Sequence, residues 1–316
     1  MRNLVFVIVT LMSSILIAQC PKEKVVELIE LAGQLKEQLV GNYWQEWAEI
    51  DMPILHVDDT MEYVFNTEVS DMTFQLPCNY QSRKTRFNKS FLATFPFLNG
   101  KPTIVVGTPE NTSKSPEAWT LTLLHEHFHQ LQFSHPNYYT AQKGLNLDKG
   151  DQTGMWMLNH PFPYQNESVN AQLKAIASNL LKLDSVSAQQ ILKDHKSLKN
   201  KLKEEIGEEH FKYLNLQLWQ EGYARYIELE LTKDWIKKID QIKQNQFTLE
   251  KMIKLQNAQE SEIKAHLTQS SPKELERVYF YALGTMEARL IARTNKNWKT
   301  SYFDYLFTTD HMLGEK

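Results

Sequence analysis

Ser115-Pro-Glu-Ala-Trp-Thr-Leu-Thr-Leu-Leu-His125-Glu-His-Phe-His129 is the stretch on which the reading of this 316-residue chain turns. Ser115 offers a hydroxyl for an N-cap, Pro116 suits the first helical position, and Glu117 places a negative charge in the first turn. Leu121, Leu124, Phe128 and Leu131 then recur at helical spacing, which predicts a helix running to about Leu131 or Phe133 with an apolar stripe for a core. Residues four apart stand one turn above each other, so the imidazoles of His125 and His129 can face a single metal ion. Glu126 lies about 100° around the helix from His125. From there it reaches a water on the metal rather than the metal itself, the position of a general base. His127, about 200° from His125, points elsewhere and reads as a bystander histidine.

A catalytic zinc site takes three protein ligands and leaves the fourth position to water. No histidine follows at metzincin spacing, because Gln130 to Pro136 contains only His135 with no glycine before it. A distant carboxylate is the better candidate for the third ligand. In Trp219-Gln-Glu-Gly-Tyr-Ala-Arg-Tyr-Ile-Glu228, Glu221 sits on a second predicted helix and Gly222 permits the close approach of another backbone. Glu228, two turns on, can hold a ligand histidine from behind. The alternative for Glu221 is an ordinary i, i+4 ion pair with Arg225.

His125-Glu126-x-x-His129 followed by Glu221-Gly-x-Ala-x-Tyr-x-Glu228 resembles the gluzincin zinc metallopeptidases, especially their aminopeptidase branch. Tyr279-Phe-Tyr281-Ala-Leu-Gly284 is similar to the Tyr-x-Lys-Gly segment of those enzymes, with Leu283 in place of the lysine. The resemblance implies a zincin-like fold, Zn2+ held by His125, His129 and Glu221, and Glu228 behind them. It also implies a zinc-bound water that gives its proton to Glu126, and a phenol on Tyr281 that steadies the oxyanion, with Tyr279 the rival for that role. A short connection joins the two zinc motifs in that family. Here Pro136 to Glu209 would be a helical insertion, the natural candidate for a lid or specificity element. Gly107-Thr-Pro-Glu110-Asn111 only faintly resembles the segment that grips a free amine in aminopeptidases, so it reads as a turn and exopeptidase specificity is not implied.

The remaining chain supplies context. Lys plus Arg number 35 against 38 Asp plus Glu, a net charge of −3 without a basic run, which argues against nucleic acid as a partner. Arg2 precedes a charge-free apolar run from Leu4 to Ala18, too short to span a bilayer comfortably and placed as an export signal over residues 1–18. The mature chain, 19–316, would then be secreted or periplasmic, with no membrane span, and lipidation at Cys20 is the less favoured alternative. Cys20 and Cys78 allow at most one intramolecular disulfide. Helical patterns are expected over Pro21–Glu49, Glu167–Leu183, Ser187–Ile206, His210–Trp235 and Pro272–Arg293, with a small sheet between Ile54 and Val106 and a loop from Pro136 to Gln165.

The expectation is therefore a single α+β, predominantly helical domain, zincin-like, with a small sheet beside the active-site helix. Its substrate would be a peptide or protein, with strand Thr103–Gly107 offering an edge to the extended chain. Two rivals stand beside it: a non-catalytic zincin-like binding module of the cell envelope, and a metal-dependent hydrolase of a non-peptide amide.

Overall fold

A computed structural model describes residues 20–314 except 77, 152 and 243–246. The apolar leader expected over Met1 to Ala18 lies outside the described residues. The fold is α+β and predominantly helical. Helix α1 (Glu23–Leu39) leads into a sheet of β1 (Ile54–Val57), β2 (Met61–Phe65), β3 (Ser82–Lys84), β4 (Leu92–Pro96) and β5 (Pro102–Gly107). The longer helices that follow are α2 (Pro116–Ser134), α3 (Glu167–Leu180), α4 (Ala188–Gln217), α5 (Tyr223–Lys237), α6 (Leu249–Thr268) and α7 (Arg277–Thr294). Among the described residues no helix is long and apolar enough to cross a membrane.

The strand order is β3-β2-β1-β5-β4, with β5 parallel to β1 and the other pairings antiparallel. This corrects the expectation that Thr103–Gly107 would be a free edge: β5 is enclosed between β1 and β4, and β4 is the edge next to α2. The run Thr103-Ile-Val-Val106 is buried throughout, as an interior strand requires. One face of the sheet carries Ile54, Tyr63, Phe65, Ile104 and Val106 into the main core, which extends from Val25 to Leu313. The other face, with Leu55, Val57, Val64 and Val105, packs under Phe87, Phe91, Phe95 and Phe97.

Helix α2 starts where its sequence says, with the Ser115 side chain accepting from the Ala118 N–H and Pro116 in the first turn. It is covered on all sides, and Leu121, Leu124 and Phe128 are fully buried. Sheet strands β4 and β5 flank it on one side and α1 and α5 on the other. The helix expected to stop near Ile206 does so. It breaks at Gly207, whose φ of 76° and ψ of 172° are not helical, and a second helical stretch, expected from His210, carries on to Gln217, so α4 is two helices joined at a kink. The expected loop 136–165 holds two short helices, Tyr138–Gly144 and Trp156–Asn159. Cys20 is bonded to Cys78, which ties the chain before α1 to the loop before β3.

Candidate metal centre

The centre is assembled from three parts of the chain. On α2 the rings of His125 and His129 lie 4.9 Å apart, one turn from each other. Each ring is fixed through Nδ1: His125 against Glu228 Oε2 at 3.0 Å, His129 against Gln132 Oε1 at 2.7 Å. Both partners are acceptor oxygens, so each Nδ1 carries the donated hydrogen and Nε2 is the ring atom left to reach a metal. His129 Nε2 faces Glu221 Oε2 at 3.5 Å. One ligand atom from each of His125, His129 and Glu221 falls within 4.8 Å of the others. Two imidazole nitrogens and a carboxylate oxygen that converge in this way could hold a divalent transition ion such as zinc.

Glu221 reaches this point because of its backbone. Leu218–Gly222 forms a π turn between α4 and α5, an insertion that shifts the side chains which follow relative to those before. The turn is pressed against α7. A Cβ on Gly222 would come 2.4 Å from the Cα of Gly284, and one on Gly284 would come 2.6 Å from the Cα of Gly222. Only glycine at both positions allows that backbone approach. The π turn also decides the ion pairing. Arg225 does not pair with Glu221; its Nη1 donates to Glu228 Oε1 at 2.8 Å and its Nη2 to Glu262.

Glu228 is saturated: Oε2 faces His125, and Oε1 accepts from Arg225 and from Gln259 Nε2 at 3.0 Å. Burial alone would raise its pKa, but Arg225 and His125 hold it well below the usual carboxylate range. Glu221 has no such cation in contact. Burial lowers His129, yet the Glu221 carboxylate outweighs it and lifts the imidazole to about 9; burial raises Glu221, yet His129 brings it down to about 2. Glu126, buried beside the triad, accepts from the Thr94 hydroxyl of edge strand β4 at 2.8 Å.

A cleft of about 200 Å³ opens on His125, walled by Leu92, Glu228, Ile263, His266, Val278 and Tyr281. Of the two tyrosines weighed from sequence, Tyr281 lines this cleft with Glu221 as a polar neighbour. Tyr279 is wholly buried with its hydroxyl unpartnered. His127 turns away into the core, against Gln130 at 2.8 Å and the Trp47 ring, and burial pushes it down to about 3. Glu110 and Asn111 form a turn after β5, where Asn111 meets Asp59, and take no part in the cleft. Nor does any residue of 136–209, so the segment read from sequence as a candidate lid does not wall this opening. Its helices α3 and α4 instead pack on α7 and carry the chain into the π turn.

Sequence reading missed α6, which contributes Gln259, Glu262, Ile263 and His266. Its signals were present: Thr248 caps the helix by accepting from the Lys251 N–H, with Glu250 in the first turn and Met252, Ile263 and Leu267 buried. Comparison of the chain with protein-family models, with curated proteins and with solved structures returns no match.

Proposed function

We propose that the protein is a zinc-dependent peptidase that works outside the cytosol. The observation that carries this reading is the convergence of His125, His129 and Glu221, with the buried Glu126 carboxylate near His129 and an open cleft reaching His125. A purely structural metal site has no use for Glu126 or for an opening. Zinc bound by the triad would supply Lewis acidity, polarising a peptide carbonyl and making water acidic enough to be deprotonated near neutral pH. The protein's own groups do the rest. Glu126, steadied by Thr94, accepts the proton of the attacking water and returns it to the departing amine. Tyr281 donates to the carbonyl oxygen as negative charge grows on it, an interaction worth most in the transition state. Glu228 and Gln132 keep the two imidazoles in the tautomer that presents Nε2. The outer edge of β4 lies where an extended peptide can add as a further strand.

The leader over residues 1–18 supports export, and so does the disulfide, since such bonds persist in oxidising compartments. A thioether-lipidated Cys20 could not form it. The test is metal analysis of the purified protein together with hydrolysis of a mixed peptide library. One zinc per chain and chelator-sensitive cleavage are expected, with Glu126→Gln retaining zinc and losing about 10²- to 10⁴-fold in rate. Undiminished cleavage by the variant, or no bound zinc, would overturn the reading. Stoichiometric zinc without cleavage of any peptide would favour a binding module.

A further inference from the structure

We propose that Arg277 is a receptor for a carboxylate of the substrate, which makes the protein selective for peptides with a free C-terminus or an acidic side chain at that subsite. The proposal rests on the peptidase reading and names its substrate class.

Four of the described arginines are matched by acidic partners. Arg83 meets Glu62, Arg225 meets Glu228 and Glu262, Arg289 meets Glu260, and Arg293 meets Asp184. Arg86 donates its backbone N–H to Glu62, and its guanidinium, without an ion pair among the described residues, belongs to an exposed residue. Arg277 is different: it is partly buried, and among the described residues no carboxylate lies in salt-bridge contact with it. Its one side-chain hydrogen bond runs from Nη1 to the Tyr281 hydroxyl one turn on, with the guanidinium also 5.5 Å from that ring.

The placement gives the unmatched charge a purpose. Tyr281 walls the cleft and has Glu221 as its other polar neighbour, so Arg277 stands behind Tyr281 on the Glu221 side of the triad. Glu221 feels the guanidinium but is committed to His129. A guanidinium has five N–H donors in a fixed fork, and one is spent here. The remaining fork matches a carboxylate with two parallel hydrogen bonds, which a lysine in the same place could not reproduce. The Tyr281 contact has a second effect. Arginine can only donate, so the phenol oxygen is the acceptor and its own hydrogen is left for Glu221 or, in exchange for it, the oxygen of a substrate carbonyl.

Three N-acetylated peptides of otherwise identical sequence test this: one with a free C-terminal carboxylate, one amidated and neutral, one amidated with a single aspartate. Binding is measured calorimetrically, with zinc and after chelation, because a carboxylate might otherwise be retained by the metal alone. The wild-type protein is expected to bind one of the acidic forms about 10- to 100-fold more tightly than the neutral peptide in both conditions. Preference for the free C-terminus identifies the α-carboxylate as the source, and preference for aspartate identifies the side chain. Arg277→Gln should abolish the discrimination, Arg277→Lys should restore only part of it, and Tyr281→Phe should keep it while slowing hydrolysis. Equal affinity for all three peptides, no measurable binding of any, or discrimination that survives Arg277→Gln would overturn the proposal. Zinc content and hydrolysis of the neutral peptide are read separately, so failure of the peptidase reading is distinguishable from failure of this one.

Discussion

Of the buried histidine–glutamate pairs among the described residues, His125–Glu228 and His195–Glu287 have different surroundings. His125 meets Glu228 at 3.0 Å, and His195 meets Glu287 at 2.7 Å. Around Glu287 the charges close on themselves. Its second oxygen accepts from Lys199 at 3.3 Å and from the Thr309 hydroxyl, while Lys199 also reaches Asp310 at 2.7 Å. The lysine is 2% exposed, so the network supplies its own cation and ties α4, α7 and the C-terminal segment together. Around Glu228 the carboxylate is equally satisfied, but the chain of hydrogen bonds does not end there. It passes to His125, which lines a cleft, and next to it His129 faces Glu221, whose carboxylate has no lysine or arginine in salt-bridge contact among the described residues. A buried His–Glu pair whose charges balance internally is a brace, and on the proposed function the other pair is a support for a metal ligand.

The contrast can be broken most severely at the brace. Glu287→Gln leaves Lys199 buried with less than its full counter-charge, and the expected loss is about 3–5 kcal/mol in urea unfolding with zinc stoichiometry unchanged. The matching change at the centre, Glu228→Gln, should lower metal affinity about 10- to 100-fold in chelator competition. It should cost less stability than Glu287→Gln, and the reverse order would erase the distinction drawn above. Acid should separate the two more gently. Burial alone would raise Glu287, but Lys199 and His195 hold it below the usual carboxylate range. A carboxyl depressed in the folded state adds stability that is present in full above its unfolded pKa and is lost as the pH falls through the folded value. Melting temperature followed from pH 6 downwards should therefore decline below about pH 4. In Glu287→Gln this part of the decline should be absent.

What could be read in the sequence was local. Ser115, Pro116 and the stripe from Leu121 to Leu131 sit within one helix, so cap, start and buried face of α2 follow from the residues themselves. That Glu228 would hold a ligand histidine was likewise legible, because two turns of helix separate it from Glu221, but that the histidine is His125 comes only from the structure. The π turn was not, since it depends on the contact of Gly222 with Gly284, which no local pattern reveals. Without it, Arg225 had two acidic candidates along its helix, and the structure gives it Glu228 rather than Glu221. Strand order is likewise a matter of distant pairing, which is why β5 was first taken for an edge. Its unbroken apolar run could have argued otherwise. Helix α6 was passed over because its face toward the core is narrow and its surface largely polar.

The glycine-to-glycine contact of the π turn with α7 has a consequence for the order of events during synthesis. Its two sides, and the histidines on α2, lie far apart along the chain, so nothing in the first two thirds of the polypeptide can complete the centre. A chain still emerging from the ribosome, or one cut before Gly284, has both histidines yet lacks the surface that sets Glu221 among them. Maturation is thus checked by the fold itself, and competence arrives only with the last long helix.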